Sequence, residues 1–432
     1  MTGRTWNEKD ALELVRRCVS RELPPRASVC GDDEDLVKCG LIDSMGWVGV
    51  LSAVEEAAAI RNFGNPWPKD RPQSVQALAR AVCEDAGRAT QRSPEGDSAV
   101  PTGAGTDVGI AGWGHVLGSL KVDAASIEDE FGLARGTIRD RAGIESVRRA
   151  GSDQDEISLG QEAAESALET AKVGPEAVDL LVATSATWLR FPSLAASLHT
   201  RLLLPESCAA LDVGGACAGV VYALMAAKSL LCTASRHVAL VVASEVNSRR
   251  LARSQAPGEF RGLFGDAACA LVLTRSAGAD DGSINRLGDF VCGCSGTFAS
   301  ALEMSLGGRG QLDVQFKGEQ LASAAIGTLD RVLGDLEIAV GKPRSAASYF
   351  ALHEPNPRVV EIFAHRSGIP AEKIAMVSRT SGNLGSATCG VSLCAALTRA
   401  QRDSDNSSAP SMPLIFVAAV GPGLVWAGTY IH

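Results

Sequence analysis

Residues 91–106, "QRSPEGDSAVPTGAGT", hold no large apolar side chain except Val100. A stretch of this composition cannot bury enough apolar surface to offset the entropy of ordering it, so it reads as a linker. As a flexible coil it spans roughly 20–25 Å root-mean-square, and about 50 Å when drawn out. That is the reach of a tether, and it obliges the chain to build a separate core on each side. The full length of 432 residues is itself more than one core usually serves.

Before the tether, residues 1–90 carry helical patterning. "EKDALELVRRCVSREL" repeats its apolar side chains at i, i+3, i+4 spacing. "DSMGWVGVLSAVEEAAA" is a second helix with Asp43 or Ser44 as its N-cap, and "PQSVQALARAVCEDA" a third, entered by Pro72 and Ser74. A small all-α bundle is the expectation. Beyond the tether, apolar strands alternate with helical segments: "DVGIAGWG", "VDLLVATSA", "CAALDVG", "HVALVVASE", "ACALVLTR", "SYFALHE", "KIAMVSRT" and "PLIFVAAVGPG". Near-continuous apolar strands of this kind imply sheets covered on both faces, an α/β class. The alternation recurs in residues 107–275 and 276–432, which hints at a duplicated unit.

The formal net charge of −9 argues against a nucleic-acid partner, which needs a basic face. The 12 cysteines show no C-x-x-C pair, and many sit in apolar runs (Cys208, Cys232, Cys269, Cys389, Cys394), as buried reduced thiols of a cytoplasmic protein do. The N-terminal segment lacks the apolar stretch of a signal peptide, and no uninterrupted apolar run reads as long enough to cross a membrane. Neither a membrane nor a metal is expected.

"ALDVGGACAGVVYALMAAKSLL" runs strand, Gly-Gly turn, Cys217, long apolar helix. The glycines permit a tight strand-to-helix turn, and the helix start favours a thiolate. His353 follows an apolar strand, and Asn383 sits in a Gly-rich turn after another. Strand-to-helix junctions are where α/β sheets present their chemistry.

Residues 107–432 resemble β-ketoacyl carrier-protein synthase III, of the thiolase superfamily. The ordered matches are "RAGI" (141–144), "FPS" (191–193), "DVGGACAGVVYAL" (212–224), "LFGDAACALVL" (263–273), "HEPNPR" (353–358), "SGNLGSA" (381–387) and "GPGLVWAG" (421–428). The resemblance implies a duplicated, five-layered αβαβα fold and a Cys-His-Asn site. Cys217 would take an acyl group from a thioester. His353 and Asn383 would donate hydrogen bonds to the carbonyl of a malonyl-type extender as it loses carbon dioxide. It also implies substrate contacts at Arg141, Asn356, Gly421 and Gly423. Phe191 would cross a homodimer interface to line the partner's acyl pocket. Beside such a domain, "DLVKCGLIDSMGWVGVLSAVEEA" resembles an acyl or peptidyl carrier protein around its attachment serine. Ser44 would then bear a covalent 4′-phosphopantetheine added by a phosphopantetheinyl transferase.

The chain departs from these families in three places. The helix after Ser44 has no acidic residue until Glu55, which suits a polyketide or nonribosomal carrier with a more apolar docking face. Thr137 stands where the synthases often place a tryptophan that stacks on adenine, which favours carrier-linked over coenzyme A-linked acyl groups. Pro422 lacks the N–H that the family aims at the thioester oxyanion. The expected activity is decarboxylative condensation in specialised polyketide- or fatty-acid-type metabolism. The alternatives are acyl transfer to an alcohol, amine or carrier thiol without decarboxylation, and a non-catalytic scaffold.

Overall fold

The computed structural model describes residues 6–23, 31–42, 44–58, 72–88, 107–233, 236–275, 285–306, 312–406 and 413–432. The expected tether at 91–106 and Asp43 lie outside the described residues. Three helices come first: α1 (Glu8–Glu22), α2 (Ser44–Ala58) and α3 (Val75–Arg88). The Asn7 side chain accepts the Asp10 N–H at 2.9 Å to start α1. Ser74 accepts the Ala77 N–H at 3.2 Å to start α3, as its position in the sequence suggests. Their apolar stripes close over a core that includes Leu36, Trp47 and Leu78.

The elements that follow begin with β1 (Val108–Leu117), β2 (Leu120–Asp123), α4 (Ala124–Phe131), β3 (Ser146–Arg149) and α5 (Glu156–Ala171). Then come β4 (Leu180–Thr184), α6 (Leu194–Arg201), β5 (Ala209–Asp212), α7 (Gly219–Thr233) and β6 (Val238–Val246). Short helices α8 (Asn247–Ala252) and α9 (Gly258–Arg261) lead to β7 (Asp266–Arg275). The second half has β8 (Asn285–Arg286), β9 (Val291–Cys294), the hairpin β10 (Leu302–Leu306) and β11 (Leu312–Phe316), and α10 (Gly318–Val340). It ends with β12 (Tyr349–Leu352), α11 (Pro357–Arg366), α12 (Ser378–Ser381), α13 (Ala387–Asp405), β13 (Ile415–Gly421) and β14 (Val425–Ile431).

One sheet has the order β5-β4-β6-β7-β1-β8 and a second β12-β13-β14-β9. In the first, β5, β4 and β6 run parallel and β7 runs antiparallel to β6 and β1. In the second, β12 and β13 run parallel, and β14 runs antiparallel to β13 and β9. The second sheet therefore repeats β4-β6-β7-β1 in order and direction. The two halves are one α/β unit used twice, as the alternation of the sequence hinted. The counterpart of β5 is a single parallel bridge, Phe350 to Ile374. The strand expected in "KIAMVSRT" is thus absent. The Val377 and Ser378 N–H groups bond the Glu354 carboxylate at 3.0 and 2.8 Å instead of a neighbouring strand.

The layers stack as α5 and α6, the first sheet, α7 and α13, the second sheet, then α10 and α11. The segment Ala216–Thr233 is, by length and composition, long and apolar enough to cross a membrane, although Lys228 interrupts its apolar run. Here it forms much of the middle layer. Its Lys228 is buried and donates to the Leu287 and Gly288 carbonyls at 2.7 and 2.8 Å. Helices that pack on both sides are apolar on both sides.

β1 lies close under α5. A Cβ on Gly112 would come within 2.3 Å of the Ala167 carbonyl oxygen, and one on Gly114 within 2.6 Å of that of Ala163. Backbone on backbone leaves nothing to rotate away. Gly114→Val is expected to cost about 1–3 kcal/mol or more, read as a lowered denaturant midpoint. An unchanged midpoint would contradict this packing.

Candidate active site

The duplication puts two chemically different loops in equivalent places. Cys217 follows β5 and precedes α7, while Asn383 follows the Ile374 bridge and precedes α13. α7 and α13 pack against each other, so their N-terminal loops meet. His353 follows β12, the partner of β13, whose last residue is Gly421. Cys217, His353, Asn383 and Gly421 line one cavity of ≈ 410 Å³, together with Arg141, Asn356, Thr137 and Pro422. That volume suits a small-molecule site. Gly423 is not among the lining residues; its φ of 75° lets the loop turn after Pro422.

Cys217 sits in a short 3₁₀ turn, Ala216–Ala218, just before α7. Ala216 takes a φ of 46°, a left-handed conformation costly for a residue with a Cβ. Gly421 presses on this turn: a Cβ there would stand 3.1 Å from the Cys217 nitrogen. The expectation of a favoured thiolate does not hold for the resting protein. Burial pushes the Cys217 thiol up to about 12, and the nearby Glu245 adds to it. A helix start is typically worth up to about 1 kcal/mol, too little to reverse desolvation.

His353 is buried, its backbone N–H held by the Ala418 carbonyl at 2.9 Å. Burial brings its pKa down to about 4, so the ring is neutral at neutral pH. The Asn383 side-chain oxygen accepts the Gly385 N–H at 3.0 Å, with Thr388 Oγ1 3.4 Å away. With the oxygen engaged from behind, the amide NH₂ remains to donate into the cavity. Asn356 also caps α11, its side-chain oxygen accepting the Val359 N–H at 3.0 Å.

Two buried carboxylates tie these loops together, and sequence reading missed both. Glu354, next to His353, holds the Val377–Ser378 segment that leads to Asn383, and burial raises it to about 7. Glu245 accepts from the Ala186 and Thr187 N–H groups at 2.8 and 3.0 Å and from Ser386 Oγ at 2.5 Å, and burial raises its pKa too. An acidic residue beside the histidine was the available signal for the first. Missed as well were the apolar walls from α9, the β10–β11 hairpin and α10, among them Phe260, Leu302, Phe316 and Leu329.

Phe191 does not line the cavity of its own chain. It stands 98% exposed in a loop where Trp188 Nε1 donates to the Pro192 carbonyl at 2.9 Å. Ser44 is the first residue of α2, and its side chain lies outside the described part. Among the described residues, no three His, Cys, Asp or Glu side chains gather as metal ligands.

A histidine held neutral in the native state makes stability depend on pH with a definite sign. Unfolded, the imidazole binds a proton near pH 6.5; folded, only near about 4. Its contribution is present above about 6.5 and is lost as pH falls toward 4, up to about 3 kcal/mol. Glu354 acts in the opposite sense between its usual value of 4.5 and about 7. The comparison is therefore with His353→Asn, whose denaturation midpoint should fall less between pH 7 and pH 4.5 than that of the unmodified chain. Parallel curves would refute the buried neutral ring.

Residues 211–296 match the family "3-Oxoacyl-[acyl-carrier-protein (ACP)] synthase III", and residues 341–432 its C-terminal counterpart. The chain is 28% identical over 326 residues to a β-ketoacyl-[acyl-carrier-protein] synthase III of Sphingopyxis alaskensis, covering 75% of this chain and 98% of that protein. It is 29% identical over 335 residues to that of Cereibacter sphaeroides, with the same coverage. Among solved structures, 3-oxoacyl-[acyl-carrier-protein] synthase III from Aquifex aeolicus superposes with a TM-score of 0.65 at 25% identity, covering 75% of this chain and 99% of that one. The priming β-ketosynthase of the R1128 polyketide pathway superposes at 0.64 and 24% identity, covering 75% and 95%, which speaks to fold alone. The α/β part of the chain thus carries 3-oxoacyl-ACP synthase III domain matches and is similar along its length to acyl-condensing transferases of that name.

Proposed function

We propose that Cys217 takes an acyl group from a thioester and that the chain condenses it, by decarboxylative Claisen reaction, with a malonyl-type thioester delivered on a carrier. The observation that supports this reading is the convergence of Cys217, neutral His353 and an amide donor of Asn383 on one cavity. In the first half-reaction the thiol sulfur attacks the acyl carbonyl, and its proton ends on the departing thiol. With the thiol pushed up to about 12, that proton must be removed as attack occurs, and the neutral His353 ring is the available base. In the second, the malonyl carboxylate leaves as carbon dioxide. Its electron pair becomes an enolate whose oxygen receives the His353 and Asn383 N–H groups. The enolate carbon attacks the acyl-Cys217 thioester, and the sulfur leaves as a thiolate that takes a proton from water. Pro422 offers no N–H, so the Cys217 N–H is the thioester oxyanion donor in this reading.

The same reading makes residues 1–90 a carrier domain with 4′-phosphopantetheine on Ser44, serving specialised metabolism in the cytoplasm. The three-helix core and the place of Ser44 at the start of α2 support it. The group would supply a thiol on a long flexible arm. Exposed Phe191, and β5 at a sheet edge with β4 as its one sheet neighbour among the described residues, support a homodimer in which Phe191 enters the partner's cavity.

Intact-mass analysis of the full chain tests this. Incubated with a phosphopantetheinyl transferase, the chain should gain one arm, lost in Ser44→Ala. With an acyl thioester it should gain an acyl group at Cys217, lost in Cys217→Ala. Carbon dioxide release from a malonyl thioester should fall roughly a hundred- to a thousandfold in His353→Ala or Asn383→Ala while acylation by Asn383→Ala persists. Acyl transfer to an alcohol or amine with no carbon dioxide released would overturn the condensation step.

A further inference from the structure

α2 is buried on two faces. Trp47, Val50, Leu51 and Val54 belong to the core of the three-helix bundle. Val48, 1% exposed, belongs instead to the apolar cluster of the synthase's second half, with residues of α10 and α11. Ser52 and Glu55 follow at i+4 and i+7, on the same helical face, and both are buried. The Glu55 carboxylate pairs with the Arg366 guanidinium at the end of α11, with side chains 6% and 16% exposed. At the rim, Glu22 lies 3.9 Å from Arg358, the first-turn arginine of α11. Gly49 leaves room for Glu22, whose carboxylate carbon would sit 2.9 Å from a Cβ there. On their inner side, α10 and α11 wall the reaction cavity through Ala325, Leu329, Val360 and Phe363.

We infer that this contact is an intramolecular dock: the Val48–Ser52–Glu55 face of α2, keyed by the Glu55–Arg366 pair, presents the N-terminal domain to the synthase domain of its own chain. This rests on the carrier reading of Ser44. Such an interface mixes a desolvated apolar contact with one paired charge. The apolar part gives adhesion and the pair gives specificity, because a helix without a matching acid would leave the half-buried Arg366 without its partner. Tethering raises the effective concentration of the chain's own domain over any free carrier. The late acidic residue that sets α2 apart from more acidic carrier helices is then the docking charge itself.

The test reverses the pair in the full-length chain. In the unmodified protein, without any arm on Ser44, amide exchange of α2 and α11 is compared with that of Glu55→Arg, of Arg366→Glu and of the double reversal. Each single reversal should speed exchange of α11 roughly tenfold or more, and the double reversal should restore it. With the arm loaded, acyl transfer from Ser44 to Cys217 should fall and recover in the same pattern. A loaded Cys217→Ala chain should transfer to a Ser44→Ala chain more slowly, at a rate that depends on concentration. Single reversals without effect, a double reversal that fails to restore protection, or transfer between chains as fast as within one would each overturn the dock. Failure of the carrier reading is distinct: Ser44 would gain no arm, while the exchange pattern would still report the contact.

Discussion

The closeness of the middle layer governs the rest of the molecule. α7 and α13 lie against each other between two sheets, and glycine sets the spacing on both. A Cβ at Gly219 would meet Thr184 Oγ1 at 2.3 Å, and one at Gly390 would meet Cys269 Sγ at 2.1 Å. A helix held this close to its sheet has little freedom to slide or rotate. The loops at the two helix starts, one bearing Cys217 and the other Asn383, inherit that rigidity. Duplication of the unit does the remainder, since it brings the ends of two equivalent strands to one place.

Charge inside the protein serves geometry. Glu245 spans the loop at 185–187 and the start of α13, and Glu354 spans the end of β12 and the segment before Asn383. Each satisfies backbone donors that no strand claims. Without them, buried N–H groups would stand unpaired at a cost of about 1–3 kcal/mol each. The same desolvation that raises these carboxylates raises the Cys217 thiol and lowers the His353 ring. Around Cys217 and His353 the interior thus favours neutral groups at rest, while Arg141 stands elsewhere in the lining of the same cavity.

Much of this was legible beforehand. The tandem glycines before Cys217, the "HEPNPR" turn and the "SGNLG" loop announce backbone reversals at strand ends, and ordered motifs tied them to one family. The three-helix pattern of the N-terminal part was equally plain. Other features escaped because they depend on distant neighbours. "KIAMVSRT" has the composition of a strand, yet Glu354 takes its donors. Val48 looks like one more residue of the bundle core, yet it belongs to the cluster across the interface.

Sequence by itself determined the alternation of elements, the residues at their junctions and the chemical types available for reaction. These follow from local sterics and from patterns a few residues long. Only the tertiary structure decided which junctions meet, which carboxylates lose their water, in what state the Cys217 thiol rests, and where α2 leans its second face. Those outcomes depend on burial and on partners hundreds of residues away in the chain, and no local pattern encodes the dielectric around a side chain.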